Sequence, residues 1–177
     1  MNFATIKFFD ISNGPGVRVS LYVSGCRNHC KNCFNPETWD FNYGEPFTKE
    51  IEEKITEGLK PQYIKGFTLL GGDPFEPENQ KVLAPFLERL RAACPDKSFW
   101  AFTGYDYEKD LLTCKLGDAE TVMRMLNCLD VLVDGRFVEE LKDLNLRFRG
   151  SSNQRLIAVK ESLKEDKTVL WDENSEL

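Results

Sequence analysis

Three cysteines within eight residues, Cys26-Arg27-Asn28-His29-Cys30-Lys31-Asn32-Cys33, constrain this chain more than any other stretch. They follow directly on an alternating apolar run, Val17 to Val23, so all three thiols sit in one short loop at a strand's end. Such a loop can bring three sulfurs to one centre, and it offers no fourth. Thiolates are soft ligands that suit zinc, copper(I) or iron–sulfur clusters. Structural zinc takes four closed ligands, and no further Cys or His pair at zinc spacing follows. A cubane cluster also usually takes four cysteines. Three leave one iron open, and an open metal position is where a substrate binds. Two other readings stay beside this one. A disulfide staple is disfavoured by the lack of secretory features. A zinc site would have to be completed by His29, the only histidine.

The rest of the chain reads as strand–loop–helix units. Residues 1–16 form a lead-in with a turn at Asn13-Gly14-Pro15-Gly16. After the strand at 17–23, Thr48 caps a helix reaching Leu59, with Ile51, Ile55 and Leu59 on one face. Strands are expected at 64–70, 98–102, 131–133 and 155–159. A helix over 79–93 carries Val82, Phe86 and Leu90 in one row, and Pro85 predicts that it starts or bends there. Further helical turns fall at 107–112, 118–126 and 138–141. Four or five such units with short connections favour an α/β fold with a parallel sheet. A complete eight-unit barrel typically needs about 250 residues, so a chain of 177 fits only a partial, laterally open one. Residues 1–160 read as a single domain, and the polar, acidic 161–177, apart from Val169-Leu170-Trp171, as a mobile tail.

Cys-x3-Cys-x2-Cys after a strand resembles the cluster loop of radical S-adenosylmethionine (SAM) enzymes. Its flanks are Asn13-Gly14-Pro15-Gly16-Val17-Arg18, Ser24-Gly25 and Phe34-Asn35-Pro36-Glu37-Thr38-Trp39. Later come Gly71-Gly72-Asp73-Pro74, Thr103-Gly104-Tyr105, Val133-Asp134-Gly135-Arg136-Phe137 and Arg149-Gly150-Ser151-Ser152-Asn153-Gln154. In this order, over roughly residues 8–157, they are similar to the glycyl-radical activases, specifically those of anaerobic ribonucleoside-triphosphate reductase. The resemblance implies a partial (β/α) barrel of the radical SAM type. It implies a [4Fe–4S] cluster on Cys26, Cys30 and Cys33, with SAM on the fourth iron. Reductive cleavage would then give a 5′-deoxyadenosyl radical, and that radical a glycyl radical on the reductase. The implied partners are the reductase and an electron donor outside this chain.

By the same resemblance, Gly71 and Gly72 meet the amino group of SAM; glycine lets backbone approach a ligand closely. Asp73 either pairs with the SAM ammonium or caps its turn. Asn32 and Phe34, flanking Cys33, are expected on the adenine side, although these enzymes usually carry an aromatic where Asn32 stands. Arg149, Asn153 and Gln154 bring donors suited to a partner's backbone or a carboxylate. Tyr105 reads as a packing aromatic and His29 as an exposed loop residue. Cys94, Cys114 and Cys128, scattered singly, read as small buried hydrophobes.

Composition narrows the classes. A formal charge of −6, with 23 scattered basic residues, gives no footprint for nucleic acid. No apolar run approaches the ~20 residues of a membrane span, and the start lacks a signal pattern. A reducing, cytoplasmic setting is expected, which suits exposed thiols. The alternatives are activation of another glycyl-radical enzyme such as formate acetyltransferase, a compact radical SAM enzyme acting on a small heterocycle, and a non-enzymatic metal-binding module.

Overall fold

A computed structural model describes residues 1–113 and 115–173. Its frame is a seven-stranded sheet in the order β3-β1-β2-β4-β5-β6-β7. The strands are β1 (Asn2–Asp10), β2 (Val17–Val23), β3 (Glu45–Pro46), β4 (Ile64–Gly71), β5 (Ser98–Phe102), β6 (Val131–Asp134) and β7 (Arg155–Ala158). β2, β4, β5 and β6 run parallel in the centre. β1 and β7 add to either side antiparallel, and two-residue β3 completes the β1 edge. The sheet is therefore mixed and open, with different strands at its two edges, in place of the all-parallel sheet expected. The link from β6 to β7 contains only a 3-10 turn at Glu139–Leu141. Without a crossover helix, β7 returns antiparallel.

Alternation along the strands separates two faces. On one, Val19, Leu21 and Val23 join Phe67, Leu69, Phe99, Ala101 and Leu132 in the main core. Three helices close that face: α1 (Lys49–Leu59), α2 (Pro77–Ala93) and α3 (Ala119–Cys128). They bury Ile55, Leu59, Leu83, Phe86, Leu87, Leu90, Val122, Met125 and Leu126 against it. Each such side chain contributes about 1.5–3 kcal/mol when fully buried. Asp118 caps α3 as its spacing predicts, accepting from the N–H groups of Glu120 and Thr121. α2 begins at Pro77 and continues through Pro85, so the expected start or bend at Pro85 does not occur as a boundary. An internal proline costs a helix about 3 kcal/mol. The buried row from Leu83 to Leu90 offsets that cost. Cys94 and Cys128 lie in this core, while Cys114 falls outside the described residues.

Among the described residues, the other face has no helix against it. By register, Ser20, Thr68 and Trp100 lie side by side there, followed by Tyr22 with Leu70 and Phe102 with Val133. Its lower part is filled by Arg18, fully buried. The Arg18 guanidinium donates to Thr68 Oγ1 at 2.7 Å, Ser98 Oγ at 2.8 Å and the carbonyls of Phe67, Ser98 and Pro15 at 2.8, 2.9 and 3.3 Å. Burial drops it to about 9, against the pull of Asp130 and Asp10. The Asn13–Arg18 motif is thus a bracket wrapped round its own arginine. A Cβ on Gly14 would meet the Arg18 side chain at 2.9 Å, and Thr68 Oγ1 donates to the Asn13 carbonyl at 2.8 Å.

Residues 161–173 depart from the mobile tail expected. Helix α4 (Val159–Glu165) leads into a segment that returns along β7. Trp171 stacks edge-on to Trp100 at 4.9 Å and lies 6.3 Å from Phe148. Residues 1–16 also differ from a mere lead-in, since 2–10 form β1. Two register shifts against β2 break its alternation, which hides the strand from a period-two reading. Among the described residues, no helix is long and apolar enough to cross a membrane.

Candidate metal and cofactor site

β2, β4, β5 and β6 all point their carboxyl ends at one place, where sites collect in parallel sheets. The cysteine loop is pinned there by backbone. Gly25 and Cys26 donate to the carbonyls of Thr38 and Trp39 at 2.8 and 3.2 Å, and Asp73 donates to Gly25 O at 2.8 Å. The Phe34–Trp39 motif therefore acts through a 3-10 turn (Pro36–Trp39) whose carbonyls hold the approach to Cys26. Within the loop, His29 (φ +46°) and Asn32 (φ +55°) turn left-handed, a conformation that asparagine tolerates better than most residues. His29 is exposed, as expected, and stacks on Trp39 with ring centres 4.6 Å apart.

A cavity of about 510 Å³ opens at this end, within the usual range for ligand sites. Cys26, Cys30 and Cys33 line it together with Phe34, Gly71, Gly72 and Asp73. Asn32 does not line it. Its side chain is exposed, and its left-handed turn brings Cys33 and Phe34 round to the cavity. Phe34 lies 5.3 Å from Phe137, with Lys142 Nζ over its ring at 5.4 Å. Tyr22, Leu70, Phe102 and Phe148 extend the wall along the helix-free face of the sheet.

The donor set fits an iron–sulfur cluster. Cys94 and Cys128 are buried in the helix-side core, so among the described residues the cavity offers three thiols and no fourth. Away from the cysteine loop, and among the described residues, the ligand atoms of Asp106, Glu108 and Asp134 lie within 4.8 Å of one another. Arg155 already pairs with that acidic trio. Burial, and then the Asp73 carboxylate, push the Cys26 thiol up to about 12. Cys30 is raised by burial and by Cys33, while Arg136 and the Phe137 N–H draw it back. An incoming metal must displace these protons.

Asp73 proves to be the knot of the site. It is 1% exposed. Its Oδ1 accepts from Phe75 N at 3.0 Å and Thr103 Oγ1 at 2.9 Å. Its Oδ2 accepts from Gly104 N at 2.8 Å and Asn28 Nδ2 at 3.0 Å. Burial raises the carboxyl to about 7, against these donors. The turn and the strand ends thus direct these donors at Asp73, which also lines the cavity. Gly71 and Gly72 also have a reason internal to the chain. A Cβ on Gly71, at φ +110°, would meet Val23 N and O at 2.6 Å, and one on Gly72 would meet Gly25 O at 2.6 Å.

Asn28, Glu76 and Thr103 are the residues that sequence reasoning missed as supports. The Glu76 carboxylate, 1% exposed, accepts from Arg27 N at 2.7 Å, Arg27 Nη1 at 2.5 Å and the Tyr105 hydroxyl at 2.8 Å. Tyr105 is a packing residue with its hydroxyl tied. Gln154 Oε1 accepts from Gly150 N and its Nε2 donates to Gly135 O, and Asn153 donates to Arg136 O, so both brace neighbouring loops. Arg149 lines the cavity while pairing with Glu173 at 2.5 Å. Thr103-Gly104 stood out as a motif, but nothing in its spacing pointed to Asp73.

Comparison with known proteins agrees with this geometry. A family described as "4Fe-4S single cluster domain" matches residues 12–157. The anaerobic ribonucleoside-triphosphate reductase-activating protein of Escherichia coli K12 is 44% identical over 156 residues, 87% of this chain and 96% of that protein. Its counterpart from Salmonella typhi is 46% identical over 147 residues, covering 82% and 90%. That of enterobacteria phage T4 is 37% identical over 156 residues, covering 88% and 93%. On that identity and coverage, this chain belongs to the family of anaerobic ribonucleoside-triphosphate reductase-activating proteins and carries its 4Fe-4S single cluster domain.

Proposed function

We propose that the chain generates a glycyl radical on an anaerobic ribonucleoside-triphosphate reductase, with Cys26, Cys30 and Cys33 holding three irons of a [4Fe–4S] cluster and SAM filling the fourth. The observation that carries this reading is a loop of three thiols facing a cavity of ligand size at the strand ends, with no fourth thiol there among the described residues. Held by these three cysteines and reduced by an external donor, such a cluster would supply the electron for reductive cleavage of SAM to methionine, and the adenosyl fragment would take the hydrogen atom from glycine. The names of the relatives point to the reductase as partner.

The chain's own part is to bind, orient and keep water out. Gly71 and Gly72 give a wall of bare backbone next to Cys26, suited to the amino-acid end of SAM. Phe34 and Phe137 offer an apolar surface for a flat heterocycle. Asn32 contributes through its turn, and Asp73 orients the loop without spending a lone pair on the ligand. Arg149 stands on the cavity wall as a partner for a carboxylate. Tyr22, Leu70, Phe102 and Phe148 make the remaining wall largely apolar, which shields a reactive carbon radical.

We read the open sheet as a partial barrel of the radical SAM kind. Support comes from its four parallel central strands, helices α1–α3 on one face, and a helix-free face that continues into the cavity. An open side lets a protein loop reach the site.

The test is anaerobic reconstitution, reduction and addition of SAM with the reductase. A glycyl-radical electron paramagnetic resonance (EPR) signal is expected, and Cys30→Ala should abolish cluster, SAM cleavage and signal together. SAM cleavage surviving in Cys30→Ala, or a signal on formate acetyltransferase and none on the reductase, would overturn the assignment.

A further inference from the structure

Asn28 sits between two cluster cysteines, yet it is 7% exposed, the least accessible side chain of the loop after Cys26 at the same value. Nothing about a loop asparagine requires burial; its four hydrogen-bonding positions normally seek water. Here both ends of the carboxamide are used. Nδ2 donates to Asp73 Oδ2 at 3.0 Å, and Oδ1 accepts from Arg136 Nη2 at 2.9 Å and Nε at 3.3 Å. The amide also fills the space over Gly104, where a Cβ would fall 2.4 Å from Nδ2.

Each partner is anchored elsewhere. Asp73 is tied to Thr103 and Gly104 at the end of β5. Arg136 follows β6, and its carbonyl receives Asn153 Nδ2 at 2.9 Å while the neighbouring Gly135 carbonyl receives Gln154 Nε2 at 3.0 Å. A single side chain thus joins the cysteine loop to the ends of three parallel strands.

We infer that Asn28 is a positioning residue, a clasp that orders the Cys26–Cys33 loop before any cluster is present, with Arg136 as its outer half. This deepens the function proposed above and rests on it only for the cysteines' role as ligands. It gives the Val133–Phe137 motif a part: Gly135-Arg136 turns from β6 so that the guanidinium reaches back to Asn28 of the loop. A loop ordered in advance loses less conformational freedom when iron arrives, since fixing each backbone residue costs roughly 1–2 kcal/mol. The clasp therefore acts on the rate and extent of cluster assembly.

The experiment uses the full chain without iron, followed by hydrogen–deuterium exchange. In Asn28→Ala, amides of residues 28–33 should exchange at least about tenfold faster, as expected for losing the hydrogen bonds to the Asp73 carboxylate and from the Arg136 guanidinium, both charge-assisted. The central β4 and β5 amides should keep their wild-type protection. Arg136→Met should accelerate the same segment by about tenfold or less, and Arg136→Lys, retaining a charged donor, should restore most of the protection. Iron incorporation on anaerobic reconstitution should slow in the same order of variants. Exchange of 28–33 in Asn28→Ala within twofold of wild type would overturn the proposal. So would acceleration spread evenly over β4 and β5, which marks a merely destabilised fold. If Asn28→Ala does not fold, Arg136→Met and Arg136→Lys carry the test. None of these readouts uses SAM or the reductase. Their failure would leave the proposed function standing, and a missing glycyl radical would leave the clasp standing.

Discussion

Gly72→Ala separates two reasons for the paired glycines. If Gly72 is bare to admit a ligand, an added methyl should harm SAM binding and leave the cluster-free protein alone. The packing says otherwise. A Cβ there falls 2.6 Å from Gly25 O, 2.9 Å from Thr38 O and 3.0 Å from Gly25 C, all backbone atoms. Ordinary contact begins near 3.4 Å, so the strand end and the approach to Cys26 must part by about 0.8 Å. A shift of that size stretches the 2.8 Å bond from Asp73 N to Gly25 O beyond hydrogen-bond range and strains Gly72 N to Val23 O at 2.7 Å. Losing one or two buried backbone bonds, at about 1–3 kcal/mol each when left unsatisfied, gives roughly 2–4 kcal/mol. For a domain of this size that lowers Tm by about 6–12 °C. Thermal unfolding of the cluster-free chain reads the loss directly, and alkylation of buried Cys26 should quicken with it. An unchanged Tm with only SAM affinity reduced would refute the packing argument.

Three further outcomes follow from named contacts. Because burial holds the Cys26 thiol near 12 and raises Cys30, ligation at neutral pH must expel protons, so iron loading should strengthen from pH 6.5 to 8.5 and acidify a weakly buffered solution; a flat response would contradict protonated thiols. Arg18→Met should cost about 3–5 kcal/mol in urea unfolding, since it strips the Phe67 and Ser98 carbonyls of a buried donor. A loss under 1 kcal/mol would show that the bracket is dispensable. Trp171→Ala should cost roughly 1–3 kcal/mol, less than a fully buried tryptophan, by uncovering Trp100 and Phe148; unchanged stability would mean that the returning segment only rests on the sheet.

The parts of the molecule visible in sequence are those with a short period or a fixed spacing. β2, β4, β5 and β6 and the three large helices declare themselves by alternation, by the 3.6 repeat and by caps such as Asp118. So does the cysteine loop, whose spacing carries its chemistry. β1 stayed hidden because bulges shift its parity partway along. β7 was visible as a strand, but its direction depended on what the 135–154 link lacked. The returning C-terminal segment is legible only as Val169-Leu170-Trp171 in a polar stretch, and its docking partner, Trp100, lies some seventy residues away. The clasp around Asn28 and Asp73 was out of reach for the same reason. It joins residues 28, 73, 103 and 136, and no local pattern links them. Gly71-Gly72 shows the opposite limit: the pair is plain in the sequence, while the cause of the glycines, backbone against backbone at Val23 and Gly25, requires the fold.

The proposed chemistry requires an iron without a protein ligand. EPR of the reduced, reconstituted protein, recorded with and without SAM, measures that most directly. A [4Fe–4S] signal that changes shape on adding SAM, and does not change with a SAM analogue lacking the amino and carboxylate groups, is the predicted result. Zinc bound in place of iron, or a cluster spectrum indifferent to SAM, would contradict it.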